Sequence, residues 1–95
     1  IDRDPVAVKE QMLNAGAPPV AAYSAMKNIQ AMNDAQRKLR NMITTWAGIQ
    51  RDKGIPVDDA YKMFYRVFGV DVLSAQGLRT REANELAARV ASSLI

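Results

Sequence analysis

Hydrophobic and polar residues follow a helical spacing along most of the chain, and no stretch alternates convincingly as a β-strand would. The clearest pattern predicts an amphipathic helix over residues 57–68 that ends at Gly69. The predicted apolar stripe consists of Val57, Ala60, Tyr61, Phe64, Val67 and Phe68. Because this stripe contains both phenylalanines of the chain, we expect it to lie at the centre of the hydrophobic core.

A second amphipathic stretch predicts a C-terminal helix that folds back on this one. Thr80 is its expected N-cap. Its expected buried face consists of Ala83, Leu86, Ala87, Val90 and Leu94. Between the two helices, residues 70–78 have room for one helical turn with a sharp exit at Gly77. Residues 57–94 are therefore predicted to form a helical hairpin.

The first half of the chain also has a helical pattern. Asp4 followed by Pro5 is a helix-start signal, and Gly16 is a suitable end for that first helix. Residues 17–19 then predict a turn, because Pro18 and Pro19 restrict the residues before them.

The longer stretch after this turn is rich in strong helix formers. Its predicted apolar seam consists of Met32, Ala35, Leu39, Met42, Trp46 and Ile49. We favour a break near Asn33, because Asp34 can cap a helix that begins at Ala35, and one continuous helix is the alternative. The predicted fold is all-α, a single domain of residues 1–95 in which four or five helices form a compact bundle. Because the chain begins at Ile1 and not at methionine, we expect it to be part of a longer protein.

The composition argues against several function classes. The chain has no cysteine and no histidine, so it has no disulfide, no Cys/His zinc site and no histidine-based triad. Asp58 and Asp59 are adjacent and cannot both face one substrate from a helix. Glu82 and Glu85 are expected to form surface ion pairs with Arg81 and Arg89. We therefore expect no enzymatic activity, no metal and no cofactor. No apolar run approaches the roughly 20 residues of a membrane span, and the lack of cysteine fits a cytoplasmic protein.

The basic residues suggest a nucleic-acid-binding face. The net charge of +3 permits such contact without requiring it. Tyr65 lies off the apolar stripe between Lys62 and Arg66, and exposed aromatic side chains beside cations can stack on unpaired bases. The candidate residues are Arg37, Lys38, Arg40, Arg51, Lys53, Lys62, Tyr65 and Arg66. A solvated surface without a ligand is the alternative interpretation of the same charges.

A docking patch for another protein is the second hypothesis. Met26 and Ile29 lie slightly out of phase with the seam that Met32 begins. Methionine provides adaptable apolar surface, so these three residues can form a patch for a partner protein or a second copy of the chain. The alternative is that the methionines fill gaps in the core.

A family pattern covers residues 58–94. Its parts are Asp58-Asp59, Val67-Phe68, Asp71-Val72, Leu78 and Glu82-Ala83, in register without gaps. On these residues the segment resembles the C-terminal helical module of the lambda-type phage single-strand annealing proteins, although Gly69 and Gly77 depart from that pattern. The resemblance implies a helical, non-catalytic module that docks an exonuclease or a single-strand-binding protein.

The expected function is a non-enzymatic accessory domain in DNA recombination, repair or replication. It would bind nucleic acid, single-stranded DNA included, through the basic face, or dock a DNA-processing protein. The alternative is a protein-interaction or oligomerisation domain with no nucleic-acid role.

Overall fold

The computed structural model describes residues 3–95, and all regular secondary structure within them is helical. The helices are α1 (Pro5–Asn14), α2 (Pro19–Asp52), α3 (Val57–Phe68), α4 (Val72–Ala75) and α5 (Thr80–Ser93). The predicted all-α fold with a C-terminal pair of helices is therefore confirmed. The expectation drawn from Ile1 lies outside the described residues. None of the helices in the described part of the chain combines the length and the hydrophobicity needed to cross a membrane.

The chain divides into a first unit that ends at Asp34 and a second unit, Ala35–Ile95. In the first unit, α1 begins where the sequence predicts it: the Asp4 Oδ1 atom accepts hydrogen bonds from the backbone N–H groups of Val6 (3.0 Å) and Ala7 (3.2 Å). The chain leaves α1 through Gly16 at a φ of 88°, a left-handed conformation that glycine adopts without strain. The first part of α2 packs against α1.

The predicted break near Asn33 is wrong, because α2 continues from Pro19 to Asp52. Asparagine disfavours helices mainly because its side chain competes for nearby backbone groups. Here the Asn33 side chain is buried and donates a hydrogen bond to the Arg3 carbonyl, 2.7 Å away, so that competition is absent. Asp34 is consequently a residue of the helix interior and not an N-cap.

An aromatic cluster forms the core of the second unit. The ring centroids of Trp46 and Phe64 lie 5.4 Å apart, and those of Trp46 and Phe68 lie 5.9 Å apart. Both contacts are edge-to-face, a favoured arrangement for aromatic pairs, and the two phenylalanine rings are 4.6 Å apart. This cluster joins the last part of α2 to α3. Trp46 of the predicted seam therefore lies in the core.

Smaller side chains complete the core. Ala83, Leu86, Ala87 and Val90 of α5 are buried as predicted, whereas Leu94 is only partly buried. The α2 seam differs from the prediction: Ile43 and Gln50 are buried although neither belongs to the predicted seam, whereas Met42 and Ile49 are only partly buried.

Side-chain and backbone contacts define the ends of α3 and α5. Gly69 ends α3 with a φ of 75°, and its N–H donates to the Tyr65 carbonyl. The Arg89 guanidinium donates to the Phe68 carbonyl at 3.3 Å and lies 5.9 Å from the Phe68 ring. Arg89 therefore supports the C-terminal end of α3, whereas the predicted surface ion pair forms between Arg81 and Glu85 at 3.2 Å.

The predicted N-cap of α5 is wrong by one residue. Thr80 is the first helical residue, and Arg79 occupies the N-cap position without a side-chain hydrogen bond. Glu82 lies in the first turn, where its negative charge interacts favourably with the positive end of the helix dipole.

Replacing Phe64 by alanine should strongly destabilise the second unit. Phe64 is fully buried, and removing a buried phenylalanine typically lowers the free energy of unfolding by about 3–5 kcal/mol. Tyr65→Ala is the matched control: the next residue of the same helix is exposed, so its substitution should change stability by less than about 1 kcal/mol. Urea denaturation followed by circular dichroism measures both values. Equal losses in the two variants would contradict the assigned core.

Candidate nucleic-acid interface

The aromatic residues of α3 form a buried pair and an exposed pair. Phe64 and Phe68 are buried, whereas Tyr61 is 41% exposed and Tyr65 is 57% exposed. Tyr65 is exposed as predicted, but the assignment of Tyr61 to the core is wrong. The assignment of Val57 and Val67 to the core is also wrong, since they are 48% and 53% exposed. Tyr61 lies at the edge of the apolar stripe, where tyrosine can keep its hydroxyl group in water.

A groove between α3 and α4 collects several of the predicted site residues. Its lining consists of Tyr61, Lys62, Tyr65, Arg66, Asp71, Val72 and Leu73. The tyrosines are four residues apart, so they are neighbours on one helix face, and Lys62 and Arg66 follow them at the same spacing. Leu73 is 80% exposed although it is a large apolar side chain.

Tyr61 also lines two further depressions, which connect the groove to α2. One is lined by Thr44, Ala47, Gly48, Arg51 and Val57 together with Tyr61. The other is a small pocket that includes Arg40, Thr44, Val72 and Gln76. Tyr61 is therefore a lining residue that the three depressions share. We call this region the tyrosine surface and define it by Arg40, Thr44, Arg51, Tyr61, Lys62, Tyr65, Arg66 and Leu73.

The tyrosine surface contains five of the eight predicted nucleic-acid-binding residues: Arg40, Arg51, Lys62, Tyr65 and Arg66. Arg37, Lys38 and Lys53 are exposed but do not line these depressions. Arg51 approaches Asp52 at 3.8 Å, and such an exposed pair contributes little to stability. The surrounding unit is basic, because residues 35–95 hold ten of the thirteen lysines and arginines and six of the ten acidic residues.

Asp71 places a carboxylate in the lining of the groove. Its Oδ1 atom accepts a hydrogen bond from the Ser74 N–H at 2.8 Å, and its Oδ2 atom accepts one from the Ser74 hydroxyl at 3.0 Å. These bonds cap α4, and they lower the pKa of Asp71 because they stabilise the charged carboxylate. The side chain therefore serves the local fold.

The predicted docking residues lie in the first unit. Ile29 is buried, with 7% of its surface exposed, and Met26 and Met32 are partly buried. Ile29 thus contributes to the interior of that unit. Docking of a partner on the two methionines stays a prediction.

Sequence reasoning missed Tyr61 and Leu73 as surface residues. The spacing of Tyr61 and Tyr65 was a usable signal, since residues four apart share a helix face and Tyr65 was expected to be exposed. For Leu73 the sequence contains no such signal, because a single helical turn is too short to show a periodic pattern of apolar residues. Within residues 3–95, no group of three or more metal-binding side chains lies together.

The Asp71 cap should be visible in an NMR pH titration of the Ser74 amide. We expect a titration midpoint below 3.8, the ordinary value for aspartate. Because the pKa is lowered in the folded state, the stabilisation from the cap is present above the unfolded-state pKa and is lost as the pH falls through the midpoint.

Ser74→Ala is the control for this titration. It removes the hydroxyl bond and keeps the backbone bond, which is the larger cause of the shift, so the midpoint should rise only part of the way. A midpoint at or above 3.8 in the unmodified protein would contradict the assigned cap.

Comparison of the chain with protein-family models, with curated proteins and with solved structures gives no match, so the resemblance to the phage annealing modules stays a prediction.

Proposed function

We propose that this chain is a non-enzymatic helical module that binds nucleic acid through the tyrosine surface. The observation that carries the proposal is the side-by-side exposure of Tyr61 and Tyr65, with Lys62 and Arg66 in the same groove. Exposed aromatic rings flanked by cations are the arrangement that proteins use to bind single strands without reading their sequence.

The tyrosines and the basic residues of the tyrosine surface bind different parts of a nucleic-acid strand. The tyrosine rings offer flat apolar faces to unpaired bases, and stacking of this kind tolerates any base. Lys62 and Arg66 neutralise phosphates at the groove, while Arg40 and Arg51 extend the positive charge toward α2. Binding should therefore weaken as the salt concentration rises.

A role in DNA recombination or repair rests on the resemblance of residues 58–94 to the phage annealing modules. Among nucleic acids, that resemblance favours single-stranded DNA. It also keeps docking of a DNA-processing protein within the proposal.

Protein docking without nucleic acid is the second candidate function. The exposure of Leu73 favours it, because a large apolar side chain beside two tyrosines gives a partner protein an apolar anchoring surface. The basic rim would then pair with acidic residues of that partner.

A charge reversal in the groove should strongly weaken binding to single-stranded DNA. In the Lys62→Glu, Arg66→Glu double variant, we expect at least about a tenfold loss of affinity, because two phosphate contacts become repulsive. Fluorescence anisotropy with a labelled mixed-sequence strand of about 16 nucleotides at low salt measures the change. Tyr65→Ala should weaken binding by about fivefold or more, since it removes one stacking ring.

The matched control is Arg79→Glu, Arg81→Glu. It changes the net charge by the same amount, at two exposed residues outside the tyrosine surface, and should leave the affinity nearly unchanged. Equal losses in both double variants would assign binding to net charge and not to this surface. No binding by the unmodified protein would refute the nucleic-acid function and leave protein docking as the proposal.

A further inference from the structure

The small pocket beside Tyr61 differs from the groove in its volume and lining. It holds about 130 Å³ and is bounded by α2, α3 and α4. Its buried wall is apolar and comes from Leu39, Ile43 and Ala75, with Val72 partly buried beside them. Its exposed rim carries Arg40, Thr44, Tyr61 and Gln76. The pocket therefore combines an apolar floor with a polar, basic mouth.

The volume limits what the pocket can hold. An enclosed protein cavity of about 150 Å³ accommodates a benzene molecule, and this pocket is slightly smaller but open at its mouth. The ring of a pyrimidine base can therefore enter it while the exocyclic groups of the base stay toward the mouth. A purine has a second fused ring, more of which would stay outside, so the pocket favours pyrimidines.

The polar groups at the mouth suit a nucleobase better than an apolar side chain. The Thr44 hydroxyl and the Gln76 amide each offer both a donor and an acceptor, as the hydrogen-bonding edge of a pyrimidine does. Gln36 also lines the pocket, and its orientation is fixed because its amide nitrogen donates to the Leu78 carbonyl. No acidic residue lines the pocket, and Arg40 at its mouth favours an anionic strand.

The pocket lies next to the groove. Tyr61 and Val72 line both this pocket and the groove that contains Tyr65, Lys62 and Arg66. A strand whose phosphates follow the basic residues of the groove can therefore turn one base into the pocket while the next base stacks on a tyrosine.

We infer that this pocket takes one unstacked pyrimidine base of a single strand bound across the tyrosine surface. The inference rests on the proposed function and narrows it: the substrate class becomes single-stranded nucleic acid that contains pyrimidines. A duplex cannot place a base in the pocket, because its bases are stacked and paired.

The test compares labelled oligo(dT) and oligo(dA) strands of about 12 nucleotides by fluorescence anisotropy. We expect the unmodified protein to prefer oligo(dT) by about tenfold, because one base gains a pocket of its own. Gln76→Phe fills the pocket from the C-cap of α4, outside the tyrosine surface, and should remove this preference while leaving oligo(dA) affinity unchanged. Thr44→Phe places a ring at the exposed mouth and is the second variant, which should also remove the preference. Circular dichroism verifies that each one folds.

The experiment distinguishes failure of the pocket inference from failure of the proposed function. Equal affinity of the unmodified protein for both strands overturns the pocket inference and leaves nucleic-acid binding intact. A preference for oligo(dT) that survives in both pocket-filling variants also overturns it, because the preference then comes from the flexibility of the strand. Binding of neither strand overturns the proposed function itself and leaves an apolar side chain of a partner protein as the occupant.

Discussion

The contact of Trp46 with Phe64 and Phe68 is the interaction on which the second unit depends. It fixes α3 against the last part of α2, and it also fixes the rotation of α3 about its own axis. Successive residues of an α-helix are rotated by a constant angle about its axis. Burial of residues 64 and 68 therefore determines the directions in which residues 61 and 65 point. Tyr65 is turned to solvent and Tyr61 is held at the boundary. The exposed surface is thus a consequence of the core.

The connection between α3 and α4 converts this exposed helix face into a groove. Gly69 reverses the chain at the end of α3, and Arg89 supports that end through the Phe68 carbonyl. Asp71 then caps the short α4, which holds Leu73 opposite the tyrosines. The charged side chains of Arg89 and Asp71 therefore serve to build the groove.

Local signals made most helix boundaries predictable from the sequence. The Asp4-Pro5 start and the Gly69 end depend on residues adjacent in the chain, so they could be read directly. The continuity of α2 could not be read in this way, because Asn33 donates its hydrogen bond to the carbonyl of Arg3, thirty residues away. The exposure of Tyr61 was also hidden, since periodicity gives the direction of the buried stripe but not its width. The grouping of Arg40 and Arg51 with α3 residues depends on tertiary packing, which the pattern of one helix does not contain.

The two candidate functions use the same side chains, and this makes them mutually exclusive at any moment. Leu73, which favours a protein partner, lines the same groove as Tyr65 and Arg66, which favour a nucleic acid. A protein docked there would cover the tyrosine rings, and a bound strand would cover Leu73. Charge alone does not decide between them, because a basic rim attracts acidic peptides and phosphates alike. Our proposal of nucleic-acid binding therefore rests on the pair of exposed tyrosine rings, since stacking on unpaired bases uses the faces of the rings while an apolar anchor needs only their area.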